Sequence, residues 1–245
     1  MSDTSPENPV ETRVEALADT PIQTLDRADP GPLPGTEPPL DCALCPRLVA
    51  LREQCQVEHP DWWNAPVRAM GDPDSAIAIV GLAPGKQGAN RTGRPFTGDY
   101  AGDLLFATLA KYGFVEGSYA GRVDDGVRLK GIIIVNAVKC LPPENKPTPE
   151  EVRTCRRFLK TQAAALPKAR IFIALGQIAH QTTVKLLGGK LPKARFGHLA
   201  EHRVPDGRVL IDSYHCSRYN QNTGRLTTEM FEAVFERAVT LRDAG

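Results

Sequence analysis

Residues 76–99 read AIAIVGLAPGKQGANRTGRPFTGD. The first five are an uninterrupted apolar run of strand length, the pattern of a strand buried on both faces. After the loop, Ala101, Leu104, Leu105, Thr108, Leu109 and Tyr112 recur at i, i+3, i+4, i+7, i+8 and i+11. That is one face of a helix, and Gly113 stands where a helix ends. Residues 81–99 therefore form a 19-residue loop at the carboxyl end of a strand, rich in glycine, with Phe96 as its single aromatic. Loops this long inside a compact domain are usually functional or disordered, and open α/β folds place ligand sites at such strand ends.

The same alternation repeats downstream. Apolar runs at 131–138 (GIIIVNAV), 169–176 (ARIFIALG) and 208–214 (RVLIDSY) read as three more strands. Helical patterns lie between them and close the chain around Phe231, Val234, Phe235 and Ala238. Strands alternating with helices imply an α/β fold, a four-stranded parallel sheet flanked by helices in one domain. Parallel strands put their carboxyl ends on one edge, so the Gly81 loop, Asn136 and His215 are expected to meet there. The glycines are not those of a nucleotide-phosphate loop. Three residues, not four, separate Gly81 from Gly85-Lys86, Gln87 follows where Ser or Thr is required, and no G-x-G-x-x-G is present.

The chain has 245 residues, long enough for a full core, and a formal net charge of +1. That balance hides an asymmetry. Residues 1–40 hold eight acidic and two basic residues, and the remainder 28 basic and 21 acidic, a net of +7. A basic body suits an anionic partner, with nucleic acid first. Residues 1–40 also hold eight of the 21 prolines and read as a disordered acidic tail, with one or two helical turns around Val10, Val14 and Leu17. The folded domain is expected over 41–245. No apolar run approaches the ~18 residues of a membrane span, and no secretory leader pattern is present. A cytoplasmic, nucleoid-associated monomer is expected.

Six cysteines in such a chain favour metal or reactivity over disulfides. Cys42 and Cys45 share one turn before a helical stretch. Cys140 ends the second strand region, and Cys155 lies in a helix whose opening, Thr148-Pro149-Glu150-Glu151, has an N-cap, a first-turn proline and two carboxylates. Four thiolates suit either a structural zinc or a [4Fe–4S] cluster. Cys55 and Cys216 are left over. Trp62 and Trp63 read as packing first and as a platform for a base second. Asn136, an amide ending an apolar strand, either caps the following loop or reads a base edge. Residues 186–208, with His198, His202 and several cations, are expected on the surface.

Three stretches carry a resemblance: GLAPGKQGANRTGRPFTGD at 81–99, NAVKCLPPENKPTPEEVRTC at 136–155, and SYHCSRYNQNTGRLT at 213–227, together with the four cysteines. Over about residues 40–240 the chain resembles the family 5 (B-type) uracil-DNA glycosylases. The resemblance implies a [4Fe–4S] cluster on Cys42, Cys45, Cys140 and Cys155, and uracil in single- or double-stranded DNA as substrate. It implies a pocket walled by Gly81 and Ala83, in which Phe96 stacks on the base, Asn136 bonds its edge and His215 stabilises the anion that leaves. Ala83 stands where related families carry a polar residue that activates water, and the resemblance transfers that task to Asn90; Asp99 is the nearest carboxylate alternative. Arg91, Ser217, Arg218, Asn220 and Arg225 are the implied DNA contacts. Cys216 replaces the usual proline after the histidine and puts a thiol beside the site. The rival from another class is a non-catalytic iron–sulfur module that binds DNA and leaves the base in place.

Overall fold

The computed structural model describes residues 24–244. Its centre is a six-stranded sheet. Four strands are parallel: β2 (Ile77–Gly81), β5 (Ile132–Asn136), β6 (Ile171–Leu175) and β8 (Val209–Ser213). Every residue of these four is buried, which is why they read as unbroken apolar runs rather than alternating ones. Two short antiparallel strands, β1 (Met70–Gly71) beside β5 and β7 (Glu201–Arg203) beside β8, extend the four-stranded sheet to the order β1-β5-β2-β6-β8-β7. Their two and three residues are too few to show a period. A separate two-stranded ladder joins β3 (Val115–Glu116) to β4 (Arg128–Leu129).

The helices are α1 (Pro46–Glu58), α2 (Ala89–Thr92), α3 (Tyr100–Lys111), α4 (Pro149–Ala164), α5 (Gln177–Leu186), α6 (Arg218–Asn222) and α7 (Thr228–Asp243). Alternate strand residues serve the two faces. Ile77, Ile79, Ile132, Ile134, Ile171, Ile173, Val209 and Ile211 pack with Leu105 and Leu109 of α3 and Phe231, Val234 and Phe235 of α7. Ala78, Val80, Ile133, Val135, Phe172, Ala174 and Leu210 pack with Leu159 of α4 and Ala179 and Val184 of α5. Each fully buried large side chain contributes roughly 1.5–3 kcal/mol relative to exposure.

The domain boundary expected at residue 41 moves toward the amino end. Leu33 is 3% exposed within the α4–α5 layer, Glu37 Oε1 accepts the Ala69 amide at 2.7 Å, and the Leu25 amide donates to Thr92 O at 3.0 Å. Arg27 donates to Trp63 O, and its guanidinium and that of Arg68 each lie over the Trp63 ring, at 5.1 and 5.3 Å. The acidic, proline-rich composition hid this strap because it binds through few, widely spaced side chains. The helical turns expected at Val10, Val14 and Leu17 lie outside the described residues. Trp62 and Trp63 are buried, so packing is their role and no base can stack on them.

Residues 186–208 are also less superficial than expected. They contain β7, and Asp212 of β8 accepts from His180 Nδ1 at 2.8 Å on one oxygen and from His202 Nε2 at 2.9 Å on the other. This group could hold a metal ion by the proximity of its atoms. None of the three lines the cleft described next.

Candidate active site

The chain goes from β2 to β5 on one side of β2, then crosses to β6 and β8 on the other. The carboxyl end of β2 is thus a topological switch point, where the connections diverge and leave a crevice. Gly81 pairs with Asn136 in register, and the parallel pairing continues as Ala137 N–H donates to Gly81 O and Val138 N–H to Leu82 O, each at 2.9 Å. β6 turns away at once at Gly176, whose φ of +95° admits the bend. The result is a cleft of about 360 Å³ walled by Ala83, Phe96, Asp99, Tyr100, Asn136, His215 and their neighbours, a volume suited to a small ligand.

Gly81 is glycine for a steric reason. A Cβ there would lie 2.3 Å from Asn136 Oδ1 and 3.2 Å from the Phe96 ring, so only a bare Cα lets these two side chains converge. Asn136 is 4% exposed. Phe96 is 8% exposed, with φ of +51°, a left-handed conformation costly for an aromatic residue. Its carbonyl is held by Tyr119 Oη at 2.9 Å. Gly102 makes room for that contact, since a Cβ would stand 2.0 Å from Phe96 O and 2.4 Å from Tyr119 Oη. The Phe96 and His215 rings lie 6.1 Å apart with 28° between planes, and both line the same cleft.

His215 follows β8, half-buried, with its carbonyl accepting Asn220 Nδ2 at 2.8 Å. Burial pushes its imidazole down to about 4, so the ring is neutral at physiological pH. Among the described residues, no hydrogen bond occupies the ring nitrogens, so the single N–H of the neutral ring is available to donate to a ligand. Asp99 is the N-cap of α3, accepting from the Gly102 amide at 3.1 Å. Burial raises its carboxyl above the ordinary range against the opposing backbone amides of Gly102 and Ala101.

Most of the expected residues meet here, and some do not. Gly81 packs under Asn136 and Phe96 at the cleft floor, and Ala83, Phe96, Asn136, His215, Ser217 and Arg218 line the cleft. Asn90 does not: it is 3% exposed, and its Nδ2 donates to Asn64 Oδ1 at 2.9 Å. Its neighbour Ala89 lines the wall instead, so the position mapped to water activation points into a structural network. Asn220 likewise gives its amide to His215 O and shapes the loop. Ser217 caps α6. Arg218 lies over the Tyr100 ring at 5.7 Å and Arg225 over Tyr214 at 4.7 Å. Arg91 is half-buried, with Nε lacking a partner. Cys216 is fully buried in the α3–α7 layer, so it is a packing residue and not a thiol facing the site. Sequence reasoning missed Tyr100 and Asn145 as wall residues. Asn145 has φ of +57°, and an asparagine before Lys-Pro is a turn signal that marks the bend without revealing where it points.

The four cysteines also converge. Cys42, Cys45, Cys140 and Cys155 line one small cavity with Leu48, Val138 and Phe158. The segments are tied by Arg47, which donates from Nε and Nη2 to Glu151 at 2.8 and 2.7 Å. Glu151 completes a capping box with Thr148 at the start of α4. Burial first, and then the neighbouring Cys155, pushes Cys45 up to about 11 and Cys140 up to about 12. None is in a disulfide. Thiols so grouped ionise only when a cation compensates their charge. Ala83 packs against this same cluster, so the cysteine centre buttresses the cleft wall.

The model of the uracil DNA glycosylase superfamily matches residues 69–239. The chain is 44% identical over 205 residues to the type-5 uracil-DNA glycosylase of Thermus thermophilus, covering 82% of this chain and 93% of the relative. It is 39% identical over 210 residues to the type-5 enzyme of Pyrobaculum aerophilum, covering 84% and 90%. A type-4 uracil-DNA glycosylase of Pyrobaculum aerophilum is 37% identical over 155 residues, 63% of this chain and 70% of that one.

Proposed function

The chain belongs to the uracil DNA glycosylase superfamily, and on that premise we propose that it excises uracil from DNA by hydrolysing the N-glycosidic bond and leaving an abasic site. The observation that carries this reading is the convergence of Phe96, Asn136 and His215 on one cleft at the carboxyl edge of the sheet. A base must leave the stack to be read on its edge. Phe96 offers the stacking face, and the Asn136 amide offers one donor and one acceptor to the pyrimidine edge. Glycosidic cleavage leaves a pair of electrons on the base. Neutral His215 donates to the base oxygen on which that charge develops, a preorganised term that needs no proton transfer. DNA approaches from the rim, where the exposed Arg218 and Arg225 bind phosphates and Tyr219, 71% exposed, fills the gap left by the flipped base.

The test is a uracil-containing oligonucleotide, single- and double-stranded, with chelator present. Free uracil and an abasic strand are expected. A folded protein that binds the DNA and leaves the base in place sinks the reading in favour of the binding module.

The four cysteines would hold a [4Fe–4S] cluster, whose chemistry there is structural, joining the start of α1, the end of β5 and α4 behind the cleft wall. An all-thiolate donor set fits a cluster and a structural zinc alike, and the resemblance to the family 5 enzymes favours the cluster. The purified protein is expected to be brown, absorbing broadly near ~400 nm, with iron and sulfide in equal amounts. A colourless protein with one zinc per chain would contradict it.

A further inference from the structure

The hydrolysis described above needs a water at the sugar, and no residue yet named holds it. Ala83 carries no polar side-chain atom, and Asn90, whose Nδ2 donates to Asn64 Oδ1, is not among the residues that line the cleft. We infer that Asp99 is the catalytic carboxylate that holds and deprotonates this water, an inference that rests on the glycosylase reading of the cleft.

Asp99 is the one carboxylate among the residues that wall the cleft. Its two oxygens have separate tasks. Oδ1 accepts from Gly102 N–H at 3.1 Å and starts α3. Oδ2 lies over the loop glycines, and a Cβ at Gly88 would stand 2.3 Å from it and one at Gly85 3.5 Å. Those glycines are therefore the seat of the carboxylate. Asp99 lines the cleft together with Gly85, Ala101, His215, Ser217 and Arg218. Burial raises the Asp99 carboxyl, and Asp103 adds to this, while the Gly102 and Ala101 amides and Arg91 oppose it. Tyr119 and Cys216 also feel its charge. A carboxylate raised in this way is a better base near neutral pH.

The step balances without any further reactant. The C1′–N1 bond breaks and its electron pair leaves on the base. The water oxygen forms the new bond to C1′. Its proton passes to Asp99 Oδ2 and from there to solvent or to the departing base. Because the sugar already carries positive charge, the attacking water needs orientation more than strong activation, which sets the expected effect at the low end of general-base catalysis.

The decisive variant is Asp99→Asn, since asparagine caps a helix as well as aspartate does. The thermal midpoint is expected to stay near wild type, while single-turnover uracil release falls about 10²-fold and uracil-DNA binding is retained. The wild-type rate is expected to fall on the acid side as Asp99 protonates, and this limb is expected to vanish in the variant, a change that a purely structural role does not produce. Should Asp99→Asn misfold, Asp99→Ser, also a good cap, is read the same way. A wild-type protein that releases uracil and a variant that keeps both rate and acid limb overturn the assignment of Asp99 alone. A wild-type protein that releases none overturns the glycosylase reading and this inference with it.

Discussion

His215→Ala is expected to lower the rate of uracil release about 10²- to 10³-fold, the usual cost of removing one donor from a site that stabilises developing negative charge. The imidazole is half-buried at the end of β8, opposite Phe96. Burial depresses it to about 4, so it remains neutral across the physiological range and acts by hydrogen bonding. Its contribution should therefore be flat with pH above about 5. His215→Gln, a neutral donor of similar reach, should recover part of the loss. The sign for stability follows from the same shift. Between about 4 and the ordinary histidine value the unfolded chain binds more protons, so stability falls as pH is lowered through that window. His215→Ala should remove this acid loss. Single-turnover release with folded variants decides the matter, and a His215→Ala rate near wild type would make the residue structural.

Asp125→Ala is expected to destabilise the fold by about 3–5 kcal/mol, because it leaves a buried guanidinium without its counter-charge. Arg94 is 4% exposed. It donates from Nη1 and Nη2 to the two Asp125 oxygens, both at 2.7 Å, and from Nε to Thr97 Oγ1 at 2.7 Å. Its guanidinium lies 5.8 Å from the Phe106 ring and 5.9 Å from that of Tyr119. Tyr119 in turn holds the Phe96 carbonyl, so this pair anchors the aromatic wall of the cleft. Burial raises the Asp125 carboxyl, but the Arg94 hydrogen bonds and the Ala120 and Val127 amides outweigh it and hold the net value below the ordinary range. Its stabilising effect is thus present above the unfolded carboxylate value and lost as pH falls through the folded one. Urea unfolding should show the loss, with a fall in melting temperature on the order of 10 °C. Arg94→Met added to Asp125→Ala should recover part of it, since removing both charges leaves no uncompensated ion. A single variant as stable as wild type would mean that solvent reaches Arg94.

The sheet was legible because burial on both faces writes itself as apolar runs, and the helix after the loop because its face repeats every 3.6 residues. The edge strands β1 and β7 were not, being too short to show a period. The strap over residues 24–40 was hidden for a related reason. Leu33 and Glu37 act singly, and a composition dominated by proline and acid outweighs two anchoring side chains.

The site divides along the same line. Asn136 and His215 stood out in the sequence because a polar residue at the end of a buried strand must be placed for a purpose, and parallel strands share one edge. The cysteines stood out by their spacing. What no spacing could tell is which way a side chain turns within a glycine-rich loop. Asn90 and Asp99 lie nine residues apart in one loop, and either could have faced the cleft. The tertiary structure turns Asn90 toward Asn64 and seats Asp99 over Gly85 and Gly88, because that choice depends on the van der Waals room left by missing Cβ atoms and on the start of α3. Local pattern determined the strands, the loop and the residue types at the strand ends. Only packing between distant segments decided which of them line the cleft.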